Sequence, residues 1–308
     1  MVRNPARVSY PEFAYEKDKF KAVVTAEELR ETKRYLSFDL KIITEDQILN
    51  ARYLKNKSAG KKKLVIVLPI YGSSKFPPEM ITAGLTEWST TEDTNVVLIH
   101  NHNKIIDWGD VARAKNEHEL EKEIERSVKD TIKAIRGIRR MMDWVQTQEE
   151  IDSKRTGIVG FSIGAIVASI AMGVDERISA GVFVTAGGNP EDIFADSEAK
   201  FIKESRDRIL KTLGWTKFQL REKISPKLGI INPIRYAGNI DPGRVLLLEA
   251  EFDDHISQSS RNALWEALGR PERIIFQHSH KATYLFSMTI LGFHYTDRRI
   301  AKFFNERL

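Results

Sequence analysis

Short runs of consecutive apolar residues punctuate this chain: LVIVLPI at 64–70, NVVLI at 95–99, AGVFVT at 180–185 and VLLL at 245–248. Runs of this length predict strands buried on both faces. Gly157–Gly160 (GIVG) is a shorter run of the same kind, and Arg273–Phe276 (RIIF) reads as the last strand. Near the start, Tyr35–Ile42 alternates apolar and polar residues, and Ile48–Leu54 does so less cleanly. With Thr44-Glu45-Asp46 between them, they predict a hairpin. Helical spacing fills the gaps. Leu120, Ile124, Val128, Ile132, Ile135, Met142 and Val145 mark one long amphipathic helix over 119–145. A second helix spans Ser259–Leu268, with Gly269 placed to cap it, and a third closes the chain over Met288–Leu308.

Buried strands alternating with helices predict an α/β protein built on a doubly wound, mainly parallel sheet, with the hairpin as an antiparallel edge. Residues 1–34 read as an N-terminal extension of mixed charge. One short helix is expected there near Thr25–Thr32, because Thr25 followed by Glu28 fits a capping box. Residues 35–308 form the main domain. Inside it, Pro190–Ile240 is charged and helical in pattern, and far longer than a crossover between neighbouring strands requires. Its apolar residues include Phe194, Phe201, Trp215 and Phe218. Long insertions in compact domains are usually binding elements or lids, so a helical cap insertion is expected at about 190–240.

Composition narrows the classes. A chain of 308 residues, 42% hydrophobic and 30% charged, is that of an ordinary globular protein with a sizeable core. The net charge of +5 is small for this length, and Lys61–Lys63, Arg139-Arg140 and Arg298-Arg299 are dispersed, which argues against nucleic-acid binding. There is no cysteine, so disulfides, thiolate zinc sites and a cysteine nucleophile are excluded together. The sequence has no apolar leader pattern and no run long enough for a membrane span, which sets a cytoplasmic expectation.

The chemistry centres on Gly160-Phe161-Ser162-Ile163-Gly164. An apolar strand runs into this turn, and a small-residue apolar helix leaves it. A sharp strand-to-helix turn holds a serine nucleophile in a strained backbone, and side chains at the flanking glycine positions would collide with neighbouring backbone. The helix start also aims its free N–H groups, that of Ile163 among them, at the place where an oxyanion would form. A dinucleotide loop requires another glycine spacing than that of Gly157, Gly160 and Gly164.

A serine nucleophile needs a base and a carboxylate to orient it. In open α/β sheets both belong on loops after later strands. Glu249-Ala250-Glu251-Phe252-Asp253-Asp254-His255 follows one such strand, and Gln277-His278-Ser279-His280 follows the next. Glu251, Asp253 and Asp254 are the candidate acids, and His278 and His280 the candidate bases. His100 and His102, with Asp107 nearby, have the spacing of metal ligands but lack a third histidine close in sequence. Lining the mouth of the site is the other reading for them.

The order Ser, acid, His is that of the α/β-hydrolases. In detail the chain resembles their dienelactone-hydrolase and acetyl-xylan-esterase-like branch. The matching pieces are LVIVLPIYG at 64–72, DWVQTQEEIDSKRTGIVGFSIGA at 143–165, RVLLLEAEFDDHIS at 244–257 and HSHKATY at 278–284. The resemblance implies the α/β-hydrolase fold, with Ser162 as nucleophile, Asp253 as acid and His280 as base. It also implies an oxyanion hole from Ile163 and the loop carrying Tyr71 and Ser73. The chain departs from the family in having Ala250 where glycine is usual, and Tyr71-Gly72 where His-Gly is frequent. The implied activity is serine hydrolysis of a small-molecule acyl ester through an acyl-enzyme, with no metal and no organic cofactor. An acyltransferase, a peptidase, or a hydrolase-fold protein that only binds its ligand are the alternatives.

Overall fold

The computed structural model describes residues 10–17, 19–26, 34–69, 93–100, 105–285 and 295–308. Among these, the strands are β1 (Lys21–Ala26), β2 (Tyr35–Ile43), β3 (Ile48–Asn56), β4 (Lys62–Leu68), β5 (Thr94–Ile99), β6 (Ile151–Phe161), β7 (Ala180–Val184), β8 (Val245–Phe252) and β9 (Glu272–Ser279). The helices are α1 (Trp108–Arg113), α2 (Glu117–Gln146), α3 (Ile163–Val174), α4 (Pro190–Asp196), α5 (Lys200–Leu213), α6 (Lys217–Leu228), α7 (Ile234–Ala237), α8 (Gln258–Ala267), α9 (His280–Leu285) and α10 (Tyr295–Arg307).

All nine strands join one sheet in the order β1-β2-β3-β5-β4-β6-β7-β8-β9. The pairs β1–β2, β2–β3 and β3–β5 are antiparallel. From β5 to β9 every pair is parallel. The expected hairpin is β2–β3, and it joins the parallel part through β5. β4 lies between β5 and β6, so successive connections leave it in opposite directions. The crevice above the carboxyl ends of such strands is where ligands bind.

The N-terminal extension differs from the sequence expectation. Thr25 and Ala26 belong to β1, where Thr25 lies opposite Asp39 of β2. Val23, Val24 and Thr25 are β-branched, which suits a pleated strand better than a helix start, and pairing with β2 overrides the capping pattern. The rest of the expected helix, residues 27–32 with Glu28 among them, lies outside the described residues. β6 is also longer than its apolar stretch, since Ile151 pairs with Lys62 before a register shift in the ladder.

Alternate residues of the strands serve two cores. Leu64, Ile66 and Leu68 face one in which Ile135, Ile138 and Met142 of α2 pack with Ala165, Ala168 and Ile170 of α3. Val65, Val67, Val159, Phe161, Val182 and Leu246 face the other, which Ile300, Phe303 and Phe304 of α10 cover. Burial on both faces is why these strands read as unbroken apolar runs.

Residues 190–240 fold as the short and medium helices α4 to α7. Thr216 and Gln219 form a capping box at the start of α6. Arg221 of α6 donates to Asp192 (2.8 Å) and Asp196 (2.5 Å) of α4, tying these two helices together. Among the described residues no helix is long and apolar enough to cross a membrane.

Phe304 closes the second core over the strand that leads to Ser162. It is buried, and a Cβ on Gly157 of β6 would collide with its ring. Phe304→Ala should therefore lower the unfolding free energy by about 3–5 kcal/mol, the range for an emptied aromatic core site, read from a denaturant midpoint at constant slope.

Candidate active site

Ser162 sits between β6 and α3 with φ 53° and ψ −122°. A non-glycine residue there carries a local cost of about 1–3 kcal/mol, and it persists only where the surroundings impose it. The turn's own backbone does so. The Ser162 N–H donates to the Val184 carbonyl of β7 (2.9 Å), and its carbonyl accepts from the N–H groups of Ala165 (2.8 Å) and Ile166 (3.2 Å). The glycines on either side are required by space. A Cβ on Gly160 would overlap the Gly164 carbonyl oxygen, and one on Gly164 would overlap the Pro69 carbonyl oxygen at the end of β4. The backbones of three elements meet here with no room for a methyl group.

Two further loops converge on this turn. Asp253 follows β8, and its Oδ1 accepts from the N–H groups of His255 and Ile256, both at 2.9 Å. Its other oxygen, Oδ2, lies 2.8 Å from Nδ1 of His280, the first residue of α9. His280 Nε2 lies 3.2 Å from Ser162 Oγ. The Asp253 carboxylate and the His280 ring are almost wholly buried, with side-chain exposures of 0% and 3%. Burial opposes charge on Asp253. The hydrogen bond from His280, its attraction and the two backbone N–H groups outweigh that, holding the carboxyl below the usual carboxylate range.

The other candidates are placed elsewhere. Asp254 points away from His280, toward the His255 ring at 2.7 Å, and its carboxylate is half exposed. Glu251 is exposed. His278 stacks on Phe276, with ring centroids 5.2 Å apart. Asp107 caps α1, accepting from the N–H groups of Gly109 (2.9 Å) and Asp110 (3.2 Å). The His100 N–H donates to the Asn50 carbonyl at 2.8 Å, and His102 lies outside the described residues, as do Tyr71 and Ser73. The N–H of Ile163 is one of the first in α3, which have no carbonyl partner inside the helix.

Sequence reasoning missed an aromatic series leading to His280. Trp108 of α1 packs against Phe194 of α4 (centroids 5.1 Å) and Phe201 of α5 (6.4 Å). Phe201 meets His255 edge-on at 5.6 Å, and His255 stacks on His280 at 4.1 Å. The turn between α4 and α5 is fixed to the acid loop, where the Glu198 N–H donates to the Asp254 carbonyl at 2.8 Å. Trp215 and Phe218, singled out in the sequence as apolar members of the insertion, do not belong to this series. Lys223 sits over the Trp215 ring, and Phe218 is 67% exposed. No sequence signal distinguishes Phe201 from these two.

No known family model matches this sequence, and no curated protein matches it. Solved structures do. Acetyl xylan esterase 1 from Thermoanaerobacterium sp. JW/SL YS485 superposes with a TM-score of 0.67 at 16% identity, over 93% of this chain and 88% of that one. An acetyl xylan esterase from Paenibacillus sp. R4 gives 0.69 at 16% identity, over 94% and 89%. An esterase from Pyrococcus furiosus gives 0.56 at 18% identity, over 92% and 98%. With the sheet order and the elbow, these likenesses define the architecture: the chain has the α/β-hydrolase fold. The expectation drawn from its sequence motifs is met at that level.

The close approach at the elbow gives a test. Gly164→Ala places its methyl group against backbone, which cannot move aside, and should destabilise by about 1–3 kcal/mol or more. Gly229→Ala is the control, since a Cβ there meets nothing within 4 Å and its φ is −55°. It should be neutral or stabilising by up to about 1 kcal/mol. Thermal or denaturant unfolding of the two variants reads the difference.

Proposed function

We propose that this protein is a serine hydrolase acting on acyl esters through Ser162, His280 and Asp253. The observation that carries the reading is the unbroken line from the Asp253 carboxylate through both nitrogens of His280 to Ser162 Oγ, at 2.8 and 3.2 Å. Asp253 holds Nδ1 in the protonated tautomer, which leaves the Nε2 lone pair facing the hydroxyl. His280 takes the proton as Oγ attacks the acyl carbonyl. The tetrahedral oxyanion faces the start of α3, where the Ile163 N–H is a donor, and the family resemblance assigns the second donor to the loop carrying Tyr71 and Ser73. Collapse of the intermediate expels the alcohol, which receives the proton from His280. Water then repeats the sequence on the acyl-enzyme and frees the acid and the serine.

Helices α4 to α7 are read as the cap of the substrate pocket. The wall that reaches the site is formed by Phe201, Trp108 and Phe194 rather than by Trp215 or Phe218. Two structural neighbours are named as acetyl xylan esterases, so acetyl esters are the first substrate class to try.

The test is covalent labelling with a fluorophosphonate probe, expected once, at Ser162. Ser162→Ala should abolish labelling and reduce turnover by several orders of magnitude, on the order of 10⁶ at the extreme. Asp253→Asn favours the wrong imidazole tautomer and should cost about 10⁴ in kcat, with Asp254→Asn much milder. Label on another serine, or the reverse ranking of the two aspartates, would overturn the assignment. Asp253 stays charged in mild acid, because its carboxyl is held below the usual range. Activity should therefore fall on acidification through imidazole protonation, with the carboxylate still ionised.

A further inference from the structure

His280 is held at both ring nitrogens, and an imidazole N–H or lone pair points in the plane of its ring. Together the two bonds define an axis from Asp253 to Ser162, and neither opposes rotation of the ring about it. A second ring supplies that restraint. The His255 imidazole lies parallel to His280, with centroids 4.1 Å apart and an interplanar angle of 12°. His255 is itself fixed on three sides. Its Nδ1 is 2.7 Å from Asp254 Oδ1, its backbone N–H donates to Asp253 Oδ1 at 2.9 Å, and the Phe201 ring meets it edge-on at 5.6 Å. We infer that Asp254 and His255 form a second carboxylate–imidazole pair, stacked on the first, that sets the plane of the base and must stay neutral at the ring for turnover. His255 is thus a positioning residue, and the inference rests on the triad reading above.

The charge logic supports the neutral ring. The titratable and charged groups facing His255 among the described residues are His280, Asp254 and Asp253, with the apolar Phe201 edge at the side. Burial, then the neighbouring His280, push the His255 ring below the usual histidine range, against the opposing pull of Asp254 and Asp253. When His280 accepts the serine proton, it becomes a cation against a neutral aromatic face, a favourable contact. A proton on His255 would instead set two cations face to face.

A metal ion is the other use of such a cluster, since ligand atoms of Asp253, His255 and His280 lie within 4.8 Å of one another. Geometry disfavours it. Nδ1 and Nε2 of His280 already face Asp253 and Ser162, and Nδ1 of His255 faces Asp254. Stacked parallel rings also direct their lone pairs side by side rather than toward a common point.

The experiment measures kcat and KM for nitrophenyl acetate over a pH series of roughly 5 to 9, spanning the histidine range. Wild type, His255→Ala and His255→Phe are compared, and each fold is checked by circular dichroism. His255→Ala removes the stacked ring and should lower kcat about tenfold to a hundredfold, as misplacing a reacting group does, with KM little changed. His255→Phe keeps a flat ring that cannot be protonated, and should recover most of that loss. In wild type, log kcat/KM should fall with slope one and steepen toward two at the acid end, because a second proton, on His255, also stops the reaction. In His255→Phe the slope should stay at one. Wild-type kcat in His255→Ala, or no recovery of kcat in His255→Phe, overturns the inference. Probe labelling separates the levels. A wild-type protein left unlabelled at Ser162 overturns the triad reading itself, whereas labelling combined with either adverse result overturns only the role of His255.

Discussion

The close approach of three backbones beside Ser162 is the constraint on which the rest of the molecule depends. β4, β6 and α3 come together so tightly that neither Gly160 nor Gly164 has space for a methyl group. This contact holds Ser162 in a backbone conformation that it would leave if released. The force that presses these three elements together is not local. It comes from two apolar cores, one under α2 and α3 and the other under α10, which clamp the sheet from both sides. The strain is a small fraction of what those cores supply, which lets a stable sheet carry an unfavourable residue at its rim.

The same rim collects the ionisable groups. Asp253 is buried, yet it keeps its charge because its two oxygens meet two backbone N–H groups and an imidazole. Its neighbour Asp254 is exposed, and spends its carboxylate on His255. Two adjacent aspartates thus hold two histidines that lie face to face. The loop after β8 is also bonded to the turn between α4 and α5, so these helices and the Asp253–His280–Ser162 geometry share one hydrogen-bonded frame.

Much of this was legible in the sequence, and the boundary falls where local information ends. The parallel strands and the long helix α2 announce themselves because burial on two faces, or on one helical face, leaves a periodic trace. The elbow is legible because its glycines and serine are contiguous. Thr25 followed by Glu28 reads locally as a helix start, while the β2 partner that places Thr25 and Ala26 in a strand lies across the sheet. The choice of Asp253 over Asp254 as the residue facing His280 depends on side-chain direction within one tight loop, which adjacency in sequence does not convey. The stacking of His255 on His280 joins loops 25 positions apart and has no signature in either. Phe201 differs from Trp215 and Phe218 only in where α5 happens to lie.

The order of these parts along the chain has a kinetic consequence. The hydroxyl is supplied by the turn after β6, the carboxylate by the loop after β8, and the imidazole only after β9. The contact between Ser162 and His280 bridges 118 positions. Contacts of such separation form late, because much loop entropy must be surrendered before they can close. A chain emerging from its amino end would build the strained elbow while the histidine is still unmade. Until the last strand docks, the Ser162 hydroxyl lacks its His280 neighbour. With the proposed triad, reactivity at Ser162 would be a property of the finished sheet alone, so partly folded copies of this protein would be silent toward reagents that seek an activated serine.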